Sequence, residues 1–405
     1  MSIEFLIDQL YNNPIMKIKK AYRFRLKVSA VIEKELSQYA GHARFLWNKC
    51  CQLNLERLRQ SHRILRYQEM DFWSKVWKES EEYGFLKECP AHILQQKLRD
   101  LDRTFCDAFD KTQPNKRLPR LKKRGVSDSF RFPEPRQIEL RHKGIKVPKL
   151  GWLSFYQSEK VLGELRNVTI SRRGKHWYVS IQVEMDSEEK STGTGSVGID
   201  VGIVNFATLS TGEKIQPLNS FRGMEKRLGI AQRKLAKKRK FSERWKKQVS
   251  RVRGLHEQIR DMRRDFLHKT TTDISKNHAM VVVEDLNVKN MSRSASGDRE
   301  NPGVHVSAKS GLNKSILDQG WYEFRRQLEY KLNWRGGLLL KVSPKYSSQR
   351  CSNCQDVRKE NRRSQREFVC VCCGYCANAD ENAAKNILAA GHAVLARGAS
   401  ALSAA

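Results

Sequence analysis

Long apolar segments are missing from this chain of 405 residues. It contains no run of about 18 or more apolar residues, which excludes an ordinary membrane-spanning helix. The sequence also shows no signal peptide. Acidic residues are also few, because 44 Asp and Glu stand against 77 Lys and Arg, giving a formal net charge of +33. Self-repulsion of this size opposes a compact chain unless a polyanion neutralises it. We therefore expect a nucleic-acid partner bound in a salt-dependent way, no membrane association, and a cytoplasmic, nucleoid-associated location.

Cysteine is rare outside one short segment. Six of the ten cysteines lie between positions 351 and 376, and the other four are scattered through the first 106 residues. This clustering argues against a secreted disulfide framework and favours a metal site in a reducing compartment. We interpret the scattered four as small buried hydrophobic residues; they are Cys50, Cys51, Cys89 and Cys106.

Two C-x-x-C pairs fall inside the cysteine-rich segment. Fifteen residues separate Cys351 and Cys354 from Cys370 and Cys373. Four thiolates at this spacing predict a tetrahedral Zn²⁺ site that folds a short knuckle, and a closed four-cysteine site of this kind is structural rather than catalytic. A redox dithiol is the alternative, although it would need only one pair. Two further cysteines are rival ligands whose role stays open, namely Cys372 and Cys376.

Hydrophobic periodicity divides the chain into segments. Alternating apolar and basic residues after Met16 predict the first strand of a small barrel, and a hairpin turning at Arg173-Gly174 predicts its completion. Apolar residues at helical spacing lie between them, and residues 222 to 264 predict one or two long basic helices. The predicted segments are an N-terminal extension with the first barrel strand (1–30), a helical module (31–115), the rest of the barrel (116–190), an α/β domain with basic helices (191–340), the zinc knuckle (341–376) and a last segment of the α/β domain with the tail (377–405).

Three acidic residues stand where a packed core would not tolerate a charge. Asp200 lies in VGIDVG, on the face of a strand opposite its valines and isoleucine, and Glu284 ends the buried run AMVVVE. Asp380 falls in the first turn of an alanine-rich helix, where the helix dipole favours its ionised form. The region GIDVGIVNFATLSTGEKI predicts two strands joined by a turn at Thr211-Gly212.

Each acid alone is more simply explained as a carboxylate paired with lysine or as a helix cap. Brought together on one sheet, however, the three would repel one another unless divalent cations lay between them. Carboxylate oxygens select Mg²⁺ or Mn²⁺, and two such ions can promote attack of water on a phosphodiester. The trio therefore predicts hydrolysis of nucleic acid by Asp200, Glu284 and Asp380.

The order of motifs resembles the TnpB family of transposon-encoded nucleases, and miniature type V CRISPR effectors are built alike. The motifs are GIDVGIVNFAT, VVVEDLNVKNM, DQGWYEFRRQLEYKLNWRGG, VSPKYSSQRCSNC, and CVCCG followed by DENAAKNI. The resemblance runs from about Met16 to Leu388, so that Met16 is a possible initiator. Gln355 replaces the glycine that family members usually have after the first C-x-x-C, which bears on the turn of the knuckle.

The resemblance implies an α/β fold: an RNase H-like (RuvC) nuclease domain with an inserted zinc ribbon, plus a small β-barrel (wedge) domain that carries an inserted helical module. It implies an RNA-guided DNA endonuclease whose guide RNA comes from the transposon end, pairs with one strand of double-stranded DNA, and acts beside a short motif read by the protein. We expect one monomer per guide RNA. The expected nucleic-acid contacts are Tyr67 and Gln95 for the adjacent DNA, and Arg120, Lys122, Lys123, Arg124, Arg233, Lys237, Lys238 and Arg239 for the guide RNA or heteroduplex.

Two other classes of protein compete with this interpretation. Some relatives have lost their acids and act as RNA-guided repressors that bind DNA without cutting it. Transposases and junction resolvases also use acid trios on this type of sheet, but they need neither the barrel with its helical module nor the zinc knuckle. The presence of all three acids favours the nuclease.

Overall fold

The computed structural model describes residues 17–126, 128–186, 193, 195–298 and 300–403, with side chains as far as 397. Two compact units divide the chain, one spanning Lys17–Asp186 and the other including Ser187–Ala405. The predicted N-terminal extension before Met16 lies outside the described residues.

An antiparallel sheet and a group of helices form the first unit. The first strand, β1, lies in the middle of the sheet and pairs with strands more than 120 residues later, Leu26 with Phe155 and Lys17 with Asp186. Among the described residues no ladder joins the two edge strands, so closure into a barrel stays a prediction. The strands, in the spatial order β2-β6-β7-β1-β5-β4-β3, are β1 (Lys17–Leu26), β2 (Ser129–Phe132), β3 (Glu139–Arg141), β4 (Gly144–Val147), β5 (Gly151–Tyr156), β6 (Glu164–Arg173) and β7 (His176–Asp186).

Three helices lie in sequence between β1 and β2: α1 (Ala30–Arg59), α2 (Tyr67–Glu79) and α3 (Ala91–Phe109). The side chain of Ser29 caps α1 by accepting a hydrogen bond from the Ile32 N–H. Most of the apolar stripe at helical spacing on α3 is fully buried and joins the sheet in one core, as that spacing predicts. Its buried residues are Leu94, Leu98, Leu101 and Phe105, whereas Phe109 at the end of the helix is 52% exposed.

The second unit is built on a mixed five-stranded sheet. Three of its strands run parallel to one another, namely β8 (Gly195–Val201), β11 (His278–Glu284) and β12 (Leu338–Val342). The other two, β9 (Ala207–Leu209) and β10 (Lys214–Ile215), are antiparallel to their neighbours. The spatial order of the strands is β10-β9-β8-β11-β12. One prediction is corrected. The region 195–215 forms three strands rather than two, because the chain also reverses between 201 and 207.

Helices cover both faces of this sheet. Val281 and Val283 of β11 face one apolar cluster, while Val282 between them faces another. The basic region predicted at residues 222 to 264 forms two helices, α4 (Ser220–Ala236) and α5 (Glu243–Asn277). None of the helices within the described ranges combines the length and apolar character needed to cross a membrane. The other helices are α6 (Val288–Met291), α7 (Val306–Gln319), α8 (Trp321–Trp334) and α9 (Ala379–Ser403).

The last helix, α9, lies unusually close to the central strand β8. A Cβ atom added at Gly198 would lie 2.2 Å from the carbonyl oxygen of Ala384 and 2.7 Å from the backbone nitrogen of Leu388. Further along, a Cβ at Gly391 would lie 2.4 Å from the Val282 side chain. Only glycine therefore allows this approach of backbone to backbone, and the approach carries the first turn of α9 over the end of the sheet.

We predict that Gly198→Ala destabilises the second unit by about 1 to 3 kcal/mol, because the obstacle is backbone that cannot change rotamer. Gly254→Ala is the matched control, since Gly254 lies within α5 with nothing within 4 Å of an added Cβ. It should raise stability by up to about 1 kcal/mol. Thermal unfolding of both variants checks this, and equal melting temperatures would contradict the close approach.

A candidate acidic site and a four-cysteine centre

Asp200 lies in the central strand and faces α9. It shares a face of β8 with Gly198, on the side opposite the buried Val197 and Ile199. Burial, followed by the nearby carboxylates of Glu284 and Asp380, raises the pKa of its carboxyl to about 8. The positive charge of Arg362 acts in the opposite direction. Asp200 is therefore a partly buried acid that keeps its proton at neutral pH unless further positive charge is bound.

Glu284 is the last residue of β11, beside Asp200 in the sheet. The parallel register places Val283 opposite Ile199, so the next residues of the two strands are neighbours. The hydroxyl of Ser347 donates a hydrogen bond of 2.6 Å to Glu284 Oε1. Burial raises the pKa of the Glu284 carboxyl, and the Ser347 hydrogen bond opposes that rise.

Asp380 enters from the first turn of α9. Asn378 caps this helix, since its Oδ1 accepts hydrogen bonds from the backbone N–H groups of Asp380 (3.2 Å) and Glu381 (3.3 Å). The Asn205 side chain donates to Asp380 Oδ2 at 3.4 Å, and Arg362 Nη2 lies 4.0 Å from Asp380 Oδ1. The three predicted acids are thus brought to one edge of the sheet from positions 200, 284 and 380.

The acidic trio is less compact than a site for a single ion. Among the described residues, the ligand atoms of four cysteines all lie within 4.8 Å of one another. The three acids do not form a group as tight as this. Two ions about 3.5 to 4 Å apart require a wider spread of ligands than one ion. Oxygen donors that repel one another when ionised suit hard divalent cations, so the trio fits such ions chemically.

Three residues of the acidic site have no signal in the sequence that would identify them. Arg362 lies in a basic run of the cysteine-rich segment, Ser347 in the loop after β12, and Asn205 in the connection from β8 to β9. Each reaches an acid through folding alone. Sequence patterns report spacing along one element, whereas these contacts join separate elements.

The four predicted cysteines form a compact cluster. Cys351 Sγ lies 3.7 Å from Cys373 Sγ, and Cys354 Sγ lies 3.5 Å from Cys370 Sγ. Tetrahedral zinc with bonds of about 2.3 Å would place its sulfurs about 3.8 Å apart, so the cluster fits Zn²⁺. Hydrogen bonds, the largest of them from the backbone N–H of Tyr375, lower the pKa of the Cys373 thiol to about 6 and favour a thiolate there. Burial and hydrogen bonds with the other thiols raise the pKa of the Cys354 thiol in the same cluster.

The other two cysteines of the knuckle lie apart from this cluster. Cys372 and Cys376 do not belong to the group of four whose sulfurs all lie within 4.8 Å of one another, which favours those four as the ligand set. Gln355 has a left-handed φ of +66°, and Gly374, in the same place after the second C-x-x-C, has +71°. The turn that glycine would favour is therefore kept with glutamine, at some cost in backbone strain.

Two buried asparagines of α9 hold the segment that leads into the cysteine centre. Asn382 donates to the Arg350 carbonyl at 2.8 Å and accepts from the Ser352 N–H at 2.9 Å. Asn386 donates to the carbonyls of Arg350 at 2.7 Å and Ser347 at 2.9 Å. The helix that supplies Asp380 thereby also fixes the hydroxyl that contacts Glu284, so the two sites share one support.

The predicted contacts to adjacent DNA lie on the helical module. Tyr67 begins α2, and the guanidinium of Arg99 lies 4.9 Å from its ring centroid. Gln95 precedes Arg99 by one turn of α3, which places both residues on the same helix face. Tyr67, Gln95 and Arg99 therefore form one partly exposed polar and aromatic surface.

The predicted basic contacts are mostly exposed, with one correction. Arg120, Lys123 and Arg124 face solvent, as do Arg233, Lys237 and Arg239 at the end of α4 and after it, and Lys238 is half-buried. Lys122 instead turns inward. Its Nζ lies 3.4 Å from the Trp47 ring centroid, and burial followed by the charge of Lys97 lowers its pKa to about 8. An inward lysine packed on tryptophan is a poor contact for an external phosphate.

Comparison with known families matches three parts of the chain. The OrfB_IS605 family, described as "Probable transposase", matches residues 180–295. A "Helix-turn-helix domain" of the same family matches residues 16–63, where the structure has β1 and α1. A "Cas12f1-like, TNB domain" matches residues 321–387, from α8 through the cysteine centre to α9.

Two relatives match almost the whole chain, and both carry the description "Putative RNA-guided DNA endonuclease". InsQ of Escherichia coli (strain K12) is 47% identical over 384 residues, covering 95% of each protein. A protein of Streptomyces pristinaespiralis is 33% identical over 389 residues, covering 95% of this chain and 92% of that protein. A solved structure of a Cas12f1-sgRNA-target DNA complex is 14% identical with a TM-score of 0.49, covering 92% of this chain and 98% of that one.

Identity at this level over nearly the full length of both proteins indicates common descent and a shared class of transposon-associated protein. The chain belongs to the OrfB_IS605 family, also called TnpB.

We predict one zinc per chain and assign its ligands by substitution. Cys373→Ser should lose the metal, because three thiolates and a hydroxyl bind zinc weakly. Cys372→Ser and Cys376→Ser are matched controls with exposed thiols outside the cluster, and both should retain it. Atomic absorption on purified protein measures this. Zinc loss in either control would show that the ligand set is different.

Asp200 should make stability fall with rising pH in the metal-free protein. Its folded pKa of about 8 exceeds its ordinary value of 3.8, so the folded state holds the proton over that window while the unfolded chain releases it. In EDTA, Asp200→Asn should be more stable than wild type at pH 8, by at most roughly 5 kcal/mol, and nearly equal at pH 4. Melting temperatures across pH check this, and a pH-independent difference would refute it.

Proposed function

We propose that this chain is an RNA-guided DNA endonuclease of a transposon, which hydrolyses phosphodiester bonds of double-stranded DNA beside a short adjacent motif. The convergence of Asp200, Glu284 and Asp380 at one sheet edge is the observation that carries this proposal. The description of the two full-length relatives supports it. The formal charge of +33 supports a nucleic-acid partner, because a guide RNA paired with DNA must be held by its phosphates.

The three acids would hold two divalent cations, Mg²⁺ or Mn²⁺. When bound, such ions activate a water and stabilise the leaving oxygen of the phosphodiester. Ser347 and Asn205 hold Glu284 and Asp380 in fixed orientations through their hydrogen bonds. Arg362 places a guanidinium at the rim of this negative site, where it can donate hydrogen bonds to a phosphate oxygen.

Recognition would be divided between the RNA and the protein. The guide RNA from the transposon end pairs with one DNA strand, and the helical module reads the adjacent motif through the surface of Tyr67 and Gln95. The exposed basic residues at 120–124 and after α4 would hold the phosphates of the RNA or heteroduplex. Zn²⁺ on Cys351, Cys354, Cys370 and Cys373 would be structural, and one chain would act with each guide RNA.

A nuclease-inactive, RNA-guided repressor is the second candidate function. It would need the same charge, helical module and cysteine centre, but it would have no use for three mutually repelling carboxylates in a half-buried site. Their retention costs stability, as the raised pKa of Asp200 indicates, and this favours the nuclease.

The decisive experiment expresses the chain together with its flanking DNA, sequences the RNA that copurifies, and tests cleavage of matching plasmids with Mg²⁺. A transposase or junction resolvase should carry no specific RNA. Asp200→Ala should reduce cleavage by more than about 100-fold, because loss of a direct metal ligand costs more than loss of an outer-shell partner. Guided binding of DNA should persist, since Asp200 holds ions rather than the heteroduplex.

Asp265→Ala is the matched control for this substitution. Asp265 is an exposed acid on α5 whose ion pair within the described part of the chain is with Lys269, four residues on, so its removal should leave cleavage unchanged. Cleavage by Asp200→Ala at the wild-type rate would refute the assignment of the acids. Guided binding without cleavage by the wild type would identify the repressor.

A further inference from the structure

The turn between α4 and α5 presents an aromatic side chain to solvent. Phe241 is 76% exposed, more than any other large hydrophobic side chain among the described residues. Its backbone has a φ of +68°, in the left-handed region that an aromatic residue adopts only at a cost. An exposed apolar ring held in an unfavourable conformation is a feature that a solvated turn does not need, and strain of this kind concentrates at functional sites.

Hydrogen bonds on both sides of Phe241 show that the turn is a defined structure. The Ser242 hydroxyl donates to the Arg239 carbonyl at 2.8 Å and accepts from the Trp245 N–H at 3.2 Å, so Ser242 closes the turn and caps α5 together. Trp245, on the first turn of α5, has its ring centroid 5.5 Å from that of Phe241. We call Phe241 and Trp245 the aromatic tip.

Positive charge surrounds the aromatic tip. Nine of the fifteen residues from 233 to 247 are Lys or Arg, and Glu243 is the single acid among them. That acid is already paired with Lys246 at 2.6 Å. Apolar rings inside an otherwise cationic surface match a ligand that offers flat faces between phosphates, which is the chemistry of an unstacked nucleotide.

We propose that the aromatic tip stacks on an unpaired base of the guide RNA while the neighbouring cations hold the phosphates on either side. This proposal rests on the proposed function. RNA is preferred to DNA because the guide RNA is the resident partner that can cover the tip before any target arrives, and because RNA loops expose unstacked bases. A phenyl ring has no hydrogen-bonding group, so the contact should tolerate any base.

Phe241→Asn separates stacking from folding. Asparagine adopts left-handed backbone more readily than phenylalanine, so the turn should be kept and the melting temperature should stay equal or rise. Loss of one stacked base should weaken RNA binding roughly 5- to 150-fold, whereas Phe241→Tyr, which keeps an aromatic ring, should bind within about twofold of wild type. Dissociation constants are measured with the copurified RNA and with a single-stranded uridine oligoribonucleotide.

The salt dependence of binding gives a second, independent readout. Phe241→Asn removes no phosphate contact, so the slope of log affinity against log salt concentration should equal that of wild type. Lys238→Gln is the matched control in the same turn, and it should reduce the magnitude of that slope by about 0.7 to 0.9. Stacking and ionic contact thus have different signatures.

Several results would overturn the inference. The first is an RNA affinity of Phe241→Asn within twofold of wild type. The second is a loss of affinity confined to an oligodeoxyribonucleotide or to target DNA, which would assign the tip to DNA. A loss of self-association with RNA binding intact would assign the tip to a protein partner. If the wild type shows no guided cleavage while Phe241→Asn still weakens binding of the oligoribonucleotide, the proposed function is overturned. The stacking role of the aromatic tip is then still supported.

Discussion

The contact between α9 and the central strand at Gly198 is the constraint on which the acidic site depends. Because the helix backbone lies where a Cβ would otherwise be, the first turn of α9 reaches the end of β8, and Asp380 comes close enough to Asp200 to affect its ionisation. The same helix uses Asn382 and Asn386 to hold the loop that carries Ser347 toward Glu284. This packing contact thus positions Asp380 and supports the hydrogen bond to Glu284, while the register of β8 and β11 sets Glu284 beside Asp200.

This arrangement stores electrostatic energy that the rest of the molecule tolerates. The acids sit half-buried within a chain that otherwise carries a large positive charge. In the proposed function this small negative site would face a partner that is itself negative. Divalent cations resolve this conflict in the proposed function, because they neutralise the carboxylates and attract the phosphate at once. Arg362 also places positive charge beside these carboxylates, and it lies in the cysteine-rich segment. In the proposed function that segment would therefore contribute to the acidic site, although its own metal would be structural.

Much of the organisation followed from local patterns. The alternation after Met16 and around Arg173 produced strands β1, β6 and β7, and the basic region produced α4 and α5. The cysteine spacing identified the four residues whose sulfurs cluster, because a knuckle is short and its geometry is set locally along the chain. By contrast, Lys122 was predicted as a phosphate contact and lies against Trp47, since charge alone does not reveal which face of a loop is packed.

The sequence by itself determined the class of fold, the cysteine centre, and which acids were candidates for a metal site, because these depend on residue type and on spacing within single elements. Only the tertiary structure decided that the acids meet, that Arg362, Ser347 and Asn205 join them, and that Phe241 stands exposed in a strained turn. The physical reason is that side-chain contact between distant elements depends on how close two backbones can approach, and a single glycine on β8 controls that distance here.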